Sequence, residues 1–323
     1  MAAAQPLGRN LPNQAEFERI TLTEIGHRFK FDVDAMVRWC RDHGLLATRM
    51  DCPACGQPCC EERPYNRIDG VTWRCQTQGC RKTVNIRKGS FFERSQLKLW
   101  QVVALSYIWS TNCGRARGMS QDTVMKEVGV CSNKTTVDWM QFFRDVCVQY
   151  FQNHPQQIGG PGVVVEIDES LFAKRKYNVG RLVPEKWVLG GYEPARKIGF
   201  LVEVQQRDAA TLLPIIQQWV APGSIVWTDM WSAYNNLPNL PQQYQHGVVN
   251  HTFNFVDPNT GVTTNRVESM WQRAKAKFKA MQGPSNRAMI GDYLTEFMWA
   301  QRFSASPFFH LWTQIATDLY PVN

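Results

Sequence analysis

The hydrophobic rhythm of the chain changes several times. Between residues 16 and 47, TLTEIGHRFKF and DVDAMVRWCRDHGLL each repeat apolar positions every three or four residues, with a break between them. That spacing predicts two short helices, with Thr21 or Thr23 and Asp32 as N-cap candidates. Residues 49–95 lose the helical period. It returns in QLKLWQVVALSYIWST, apolar on most sides and therefore expected to be buried. In the segment that follows, a helix is expected from about Gln121 to Val128, then a turn at Gly129 and a second helix with Ser132 as its N-cap. Trp139, Phe142, Phe143 and Val146 would form the buried stripe of that helix, and HPQQIGGPG (154–162) reads as a linker.

Beyond the linker the period shortens. VVVEIDES (163–170), KWVLGGYE and KIGFLVEVQQ predict three strands, DAATLLPIIQQWV an amphipathic helix, and GSIVWTD a fourth strand. WSAYNNLP would start another helix, YQHGVVNH is a fifth short strand, and NRVESMWQRAKAKFKAM is a strongly periodic helix. Three strands followed by alternating helix and strand is the order of an RNase H-like α/β domain, a mixed sheet flanked by helices. Four segments result: an N-terminal helical unit (1–48), a Cys-rich unit (49–95), a helical region (96–158) and the α/β domain with the C-terminal helices (159–323).

The Cys-rich unit carries chemistry of its own. Six of the ten cysteines lie between Cys52 and Cys80. Cys52-Pro-Ala-Cys55 and Cys75-Gln-Thr-Gln-Gly-Cys80 are separated by nineteen residues, two knuckles joined by strands. Four thiolates so arranged predict a zinc ribbon with a structural Zn²⁺. The second pair is wider than the commonest spacing, and Cys59 and Cys60 compete as ligands.

Charge narrows the partner. The net charge is +8, and residues 1–150 hold 21 Lys and Arg against 15 Asp and Glu. A polyanion suits such a surface. Arg81, Lys82, Arg87, Lys88, Arg94 and Lys98, opposed only by Glu93, form a candidate phosphate-binding stripe. Asn133, Lys134, Thr135 and Thr136 stand where the second helix of a helix-turn-helix would read bases. No apolar run is long enough to span a bilayer, and the first residues lack a secretory pattern. The expected location is cytoplasmic, or nuclear in a eukaryote.

Three acids stand out by position. Asp168 follows the apolar run of the first strand, Asp229 closes the fourth, and Glu268 lies in the first turn of the late helix, at spacings of 61 and 39 residues. Adjacent first and fourth strands would bring the two Asp residues together, and the helix would supply Glu268. Three converging carboxylates require cations to offset their repulsion, and hard oxygen ligands suit Mg²⁺ or Mn²⁺. Glu166 and Glu169 flank Asp168, and strand alternation points them differently.

At EIDES (166–170), WTDMWSAY (227–234) and VNHTFNFVDPNTGVTTNRVESMWQRAK (249–275), the chain resembles the Merlin family of DNA transposases and related bacterial insertion-sequence transposases with an Asp-Asp-Glu domain. The last stretch carries the resemblance best, through His251, Thr264, Asn265, Glu268, Trp271 and Lys275. The resemblance implies cut-and-paste transposition: binding of terminal inverted repeats in double-stranded DNA, strand cleavage, and strand transfer to target DNA by a homodimer. It implies that Asp168, Asp229 and Glu268 are a metal-binding catalytic triad, that Asn265 sits near the metals as a helper, and that Lys275 holds a DNA phosphate. His251 would contact substrate or cap its strand. The alternative is a domesticated, catalytically silent DNA-binding regulator.

Overall fold

The computed structural model describes residues 10–115, 118–173, 185–250, 255–280 and 289–322. His251 lies outside them. The chain divides into two units. The first comprises residues 1–112, 119–150 and 305–323, the second residues 113–118 and 151–304.

The first unit opens with three helices, α1 (Gln14–Arg19), α2 (Leu22–Phe29) and α3 (Val33–Asp42). Asn13, Thr21 and Asp32 cap them, each accepting a backbone N–H three residues on. The sequence pattern missed α1, a six-residue helix with one buried side chain, Phe17. A three-stranded antiparallel sheet follows, in the order β1 (Cys59–Glu62), β2 (Thr72–Cys75), β3 (Thr83–Asn85). Then come α4 (Leu99–Asn112), α5 (Gln121–Val128) and α6 (Asn133–Asn153). α4 is buried on nearly every side, as its composition requires. Gly129 ends α5 in the left-handed conformation (φ 68°) that glycine adopts without penalty, and Ser132 caps α6 through the Thr135 N–H. Phe142 departs from the predicted stripe: it is 47% exposed, while Trp139, Phe143 and Val146 are buried.

The C-terminal helix Pro307–Gln314 belongs to this unit and not to the α/β domain. Trp312 stacks on Phe92 with ring centroids 5.6 Å apart, and its indole N–H donates to Ser106. Burial of these aromatic rings ties the helix to the first unit.

The second unit is a mixed α/β domain. Its five-stranded sheet has the order β10 (Gln245–Val249), β9 (Ile225–Asp229), β5 (Val164–Ala173), β6 (Lys186–Glu193), β7 (Ile198–Val204). β5, β6 and β7 form an antiparallel meander, whereas β9 runs parallel to β5 and β10 parallel to β9. β4 (Ile158–Gly159), inside the expected linker, pairs with β8 (Val220–Ala221). The helices are α7 (Ala209–Trp219), α8 (Asn265–Ala280) and α9 (Ile290–Arg302). Where WSAYNNLP predicted a helix, the chain makes only two short 3₁₀ turns, Ser232–Tyr234 and Leu237–Asn239. Pro238 falls inside the second turn, where its missing N–H prevents a longer helix.

Paired glycines in mid-strand β6 set how closely the layers approach. A Cβ on Gly190 would lie 2.3 Å from the Trp271 ring of α8, and one on Gly191 would lie 2.2 Å from Phe200. Glycine is required there because no side chain fits. Among the described residues no helix is long and apolar enough to cross a membrane.

Candidate active site

The strand order places the middle of β5 beside the C-terminal end of β9. Val164, Val165 and Glu166 pair with Ile225, Val226 and Trp227, so Asp168 and Asp229 follow two residues further along neighbouring strands. On its other side Asp168 faces Gly190, and the absent side chain leaves room for Trp271.

Period-two alternation puts residues 166, 168, 170 and 172 of β5 on one face, and that face meets α8. Glu166 accepts the backbone N–H groups of Arg266 (2.8 Å) and Val267 (3.1 Å) and pairs with the Arg266 guanidinium. Ser170 accepts the Lys275 ammonium at 2.6 Å. Phe172 packs edge-on against Trp271 and Phe278. Glu268, in the first turn of α8, takes the Thr264 hydroxyl at 3.1 Å.

Burial holds the Asp168 carboxyl far above the usual aspartate value, at about 7, helped by the negative charges of Glu169, Asp229 and Glu268. The four acids therefore share one electrostatic neighbourhood. Asp229 also serves its own turn by accepting the Trp231 N–H at 3.0 Å. Asn265 opens α8, half-buried, with its backbone N–H on Thr263. Lys275 is half-buried too. Burial lowers its pKa while the charge of Asp168 opposes the shift, and the ammonium lies 5.5 Å from the Phe172 ring centroid.

The opposite face of β5 carries Glu169. It is buried, and among the described residues no donor reaches its carboxylate oxygens at hydrogen-bond geometry. Burial raises its pKa, against the neighbouring Tyr234 hydroxyl and the Arg207 guanidinium 3.9 Å away. Arg207 is held over Trp187 and Trp231, 4.0 and 4.9 Å from their ring centroids.

In the first unit, the ligand atoms of Cys52, Cys55, Cys75 and Cys80 all lie within 4.8 Å of one another. The Cys52–Cys80 and Cys55–Cys75 sulfurs are 3.6 and 3.5 Å apart. A tetrahedral thiolate shell around Zn²⁺ has sulfurs about 3.8 Å apart, from Zn–S bonds of about 2.3 Å, so the donor set fits the ion. The wider second pair does not disturb it: Gly79 takes a positive φ of 83° and closes the longer knuckle. Cys59 and Cys60 begin β1 instead.

Two residues named for DNA contact are spent internally. Arg87 is 2% exposed. Its guanidinium makes two 2.6 Å bonds to Asp69 and also donates to the carbonyls of Ser95 and Leu97. Thr136 is 1% exposed and turns its hydroxyl back to the Ser132 carbonyl. Neither can reach a phosphate or a base, because packing claimed them first. Arg81, Lys82, Lys88, Arg94, Lys98, Asn133 and Lys134 are exposed, and Thr135 is partly so.

Residues 164–301 match the family model of the ISXO2-like transposase domain. An uncharacterized transposase-like protein of Haemophilus influenzae is 32% identical over 108 residues, which is 33% of this chain and 81% of that relative. The chain belongs to the ISXO2-like transposase family. Asp168, Asp229, Glu268, Asn265 and Lys275 all fall within the matched transposase domain. Among solved structures, a simian T-cell lymphotropic virus intasome in complex with the PP2A regulatory subunit B56 gamma is similar at a TM-score of 0.30. Identity is 11%, over 61% of this chain and 64% of that one, too low to carry an argument.

Proposed function

We propose that the chain is a DNA transposase whose RNase H-like domain cuts and joins DNA at Asp168, Asp229 and Glu268. What supports this reading is that Asp168 and Asp229 stand on neighbouring strands, with Glu268 on α8 near enough for its charge to be felt. Burial, aided by the charges of Glu169, Asp229 and Glu268, raises the Asp168 carboxyl to about 7. Such a cluster is costly unless a cation offsets it, and an all-carboxylate donor set suits Mg²⁺ or Mn²⁺. When bound, such ions lower the pKa of an attacking water or 3′-hydroxyl and stabilise the leaving oxygen.

In the reaction, water attacks phosphorus at the end of the element and the P–O3′ bond breaks, freeing a 3′-hydroxyl. That hydroxyl then attacks a target phosphate, so one phosphodiester forms as another breaks. Asn265, at the start of α8, is positioned to orient groups beside Glu268. Lys275, now on Ser170, would turn its ammonium to a phosphate.

DNA handling falls to the first unit. Arg81, Lys82 and Lys88 would grip phosphates, and α5 with α6 would act as a helix-turn-helix presenting Asn133, Lys134 and Thr135 to base edges. Zn²⁺ on Cys52, Cys55, Cys75 and Cys80 would hold that surface in shape. Two terminal inverted repeats must be cut together, which calls for a homodimer. The Merlin-like pattern around Glu268 supports the same chemistry, and retention of all three acids disfavours the silent-regulator reading.

The test is cleavage of labelled duplexes carrying the element's ends, with Mg²⁺ or Mn²⁺, by wild type and Asp229→Ala. Metal-dependent nicking at the repeat boundary, lost in the variant while binding persists, is the expected result. Binding without cleavage under either metal would favour the regulator.

A further inference from the structure

We infer that Glu166 is a positioning residue for the acidic site: buried between β5 and α8, it fixes the helix that carries Glu268 to the strand that carries Asp168. The inference rests on the proposed role of the three acids.

The first N–H groups of a helix have no partner within the helix. In α8 the Asn265 N–H is taken locally, by Thr263. The next two, of Arg266 and Val267, are taken by Glu166, a hundred residues earlier in the chain. A local Ser, Thr or Asp cap would satisfy the same groups but leave the helix free to slide over the sheet. A cap rooted in β5 does not. Glu166 is fully buried (0% exposed), and a buried carboxylate is tolerated only when charge-assisted hydrogen bonds compensate its desolvation. Two backbone N–H groups and the Arg266 guanidinium at 3.0 Å provide them.

Its place gives this cap a function beyond satisfying the helix. Glu166 is two residues before Asp168 on the same face, and its partners Arg266 and Val267 immediately precede Glu268. Further along, Ser170 holds Lys275. The Asp168–Glu268 approach is thus bracketed on both sides by bonds between β5 and α8. Groups that orient the ligands of a metal typically change affinity or activity by about 10–100-fold when altered, and misplacement of a reacting group by about 1 Å costs on the order of 10²-fold.

The experiment compares wild type, Glu166→Gln, Glu166→Ala and Arg266→Ala. Three readouts are taken: amide hydrogen exchange over residues 264–270, Mn²⁺ binding to the protein alone, and the Mn²⁺ dependence of end cleavage. Glu166→Gln keeps shape and size, so it serves where Glu166→Ala does not fold. The expected result for Glu166→Gln is faster exchange at Arg266 and Val267, about tenfold weaker Mn²⁺ binding, and turnover reduced by about 10–100-fold. Arg266→Ala, which keeps both backbone bonds but removes the counter-charge of a buried carboxylate, should fall between wild type and Glu166→Gln. Loosened amides with unchanged Mn²⁺ binding and turnover would overturn the inference, since the cap would then be structural only. Unchanged exchange would overturn it as well. A wild type that cuts no DNA would instead count against the proposed function, and exchange and Mn²⁺ binding would still decide the anchor.

Discussion

Replacing Gly190 by alanine tests whether the spacing of α8 above the sheet controls the site. The added Cβ would stand 2.3 and 2.5 Å from Trp271 Cζ2 and Cη2, and 3.2 Å from Leu201 Cδ2. Carbon atoms rest at about 3.5–4.0 Å, so the indole must retreat by roughly 1.2 Å. Trp271 is 3% exposed and backed by Phe172, which leaves displacement of α8 as the available response. Overpacking of this kind costs about 1–3 kcal/mol. At about 2–4 °C per kcal/mol for a domain of this size, Tm should fall by roughly 2–12 °C. Because Glu268 rides on the same helix, cleavage measured well below Tm should fall further, on the order of 10²-fold. Adding Trp271→Phe removes the ring edge that makes both close contacts. It breaks no hydrogen bond among the described residues, where the Trp271 indole N–H has no partner, so the double variant should regain most of both losses. Thermal melts and end-cleavage rates of wild type and the two variants decide the matter. A Gly190→Ala protein with wild-type Tm and rate would refute the argument.

Other outcomes follow from the same contacts. Arg87→Ala leaves Asp69 buried without its partner and should destabilise the first unit by about 3–5 kcal/mol in urea melts. Lys88→Ala and Lys134→Ala should leave stability unchanged and each lower the slope of log Kd against log salt by about 1. Metal analysis should find one zinc per chain, lost together with folding of the β1–β3 sheet on chelation or in Cys75→Ser. Burial works to raise the Glu193 pKa, but the Arg196 guanidinium and the Gly159 N–H outweigh it and hold it below the usual 4.5. The stability advantage of wild type over Glu193→Gln should therefore be full above pH 4.5 and disappear as pH falls below it, as read by denaturant melts at each pH.

Much of this was legible in the sequence because period and punctuation agreed with packing. The β-branched run Val163–Ile167, the acid closing GSIVWTD, and the Gly129–Ser132 turn each matched the local geometry that formed. The two Cys pairs were sufficient to identify their cluster. What escaped depended on remote partners. Arg87 reads as one more cation in a basic stripe, and only Asp69, 18 residues away, turns it inward. Glu166 reads as a flanking acid pointed differently from Asp168, whereas residues two apart on a strand share a face and Glu166 lies with Asp168 on the side of β5 that meets α8. Its purpose depends on α8 arriving there. The Gly190–Gly191 pair was a usable signal of close approach in mid-strand, but it does not name Trp271 as the neighbour. The C-terminal helix carries an apolar stripe that does not reveal which unit it completes.

The central claim is that Asp168 holds a divalent cation that DNA cleavage requires. The most direct test is a change of metal preference in Asp168→Cys, because a thiolate binds Mn²⁺ or Cd²⁺ better than Mg²⁺. The account predicts a folded, DNA-binding variant that is silent in Mg²⁺ and recovers end cleavage in Mn²⁺ or with added Cd²⁺. Equal cleavage in Mg²⁺ by wild type and variant, or a folded variant silent in every metal, would contradict it.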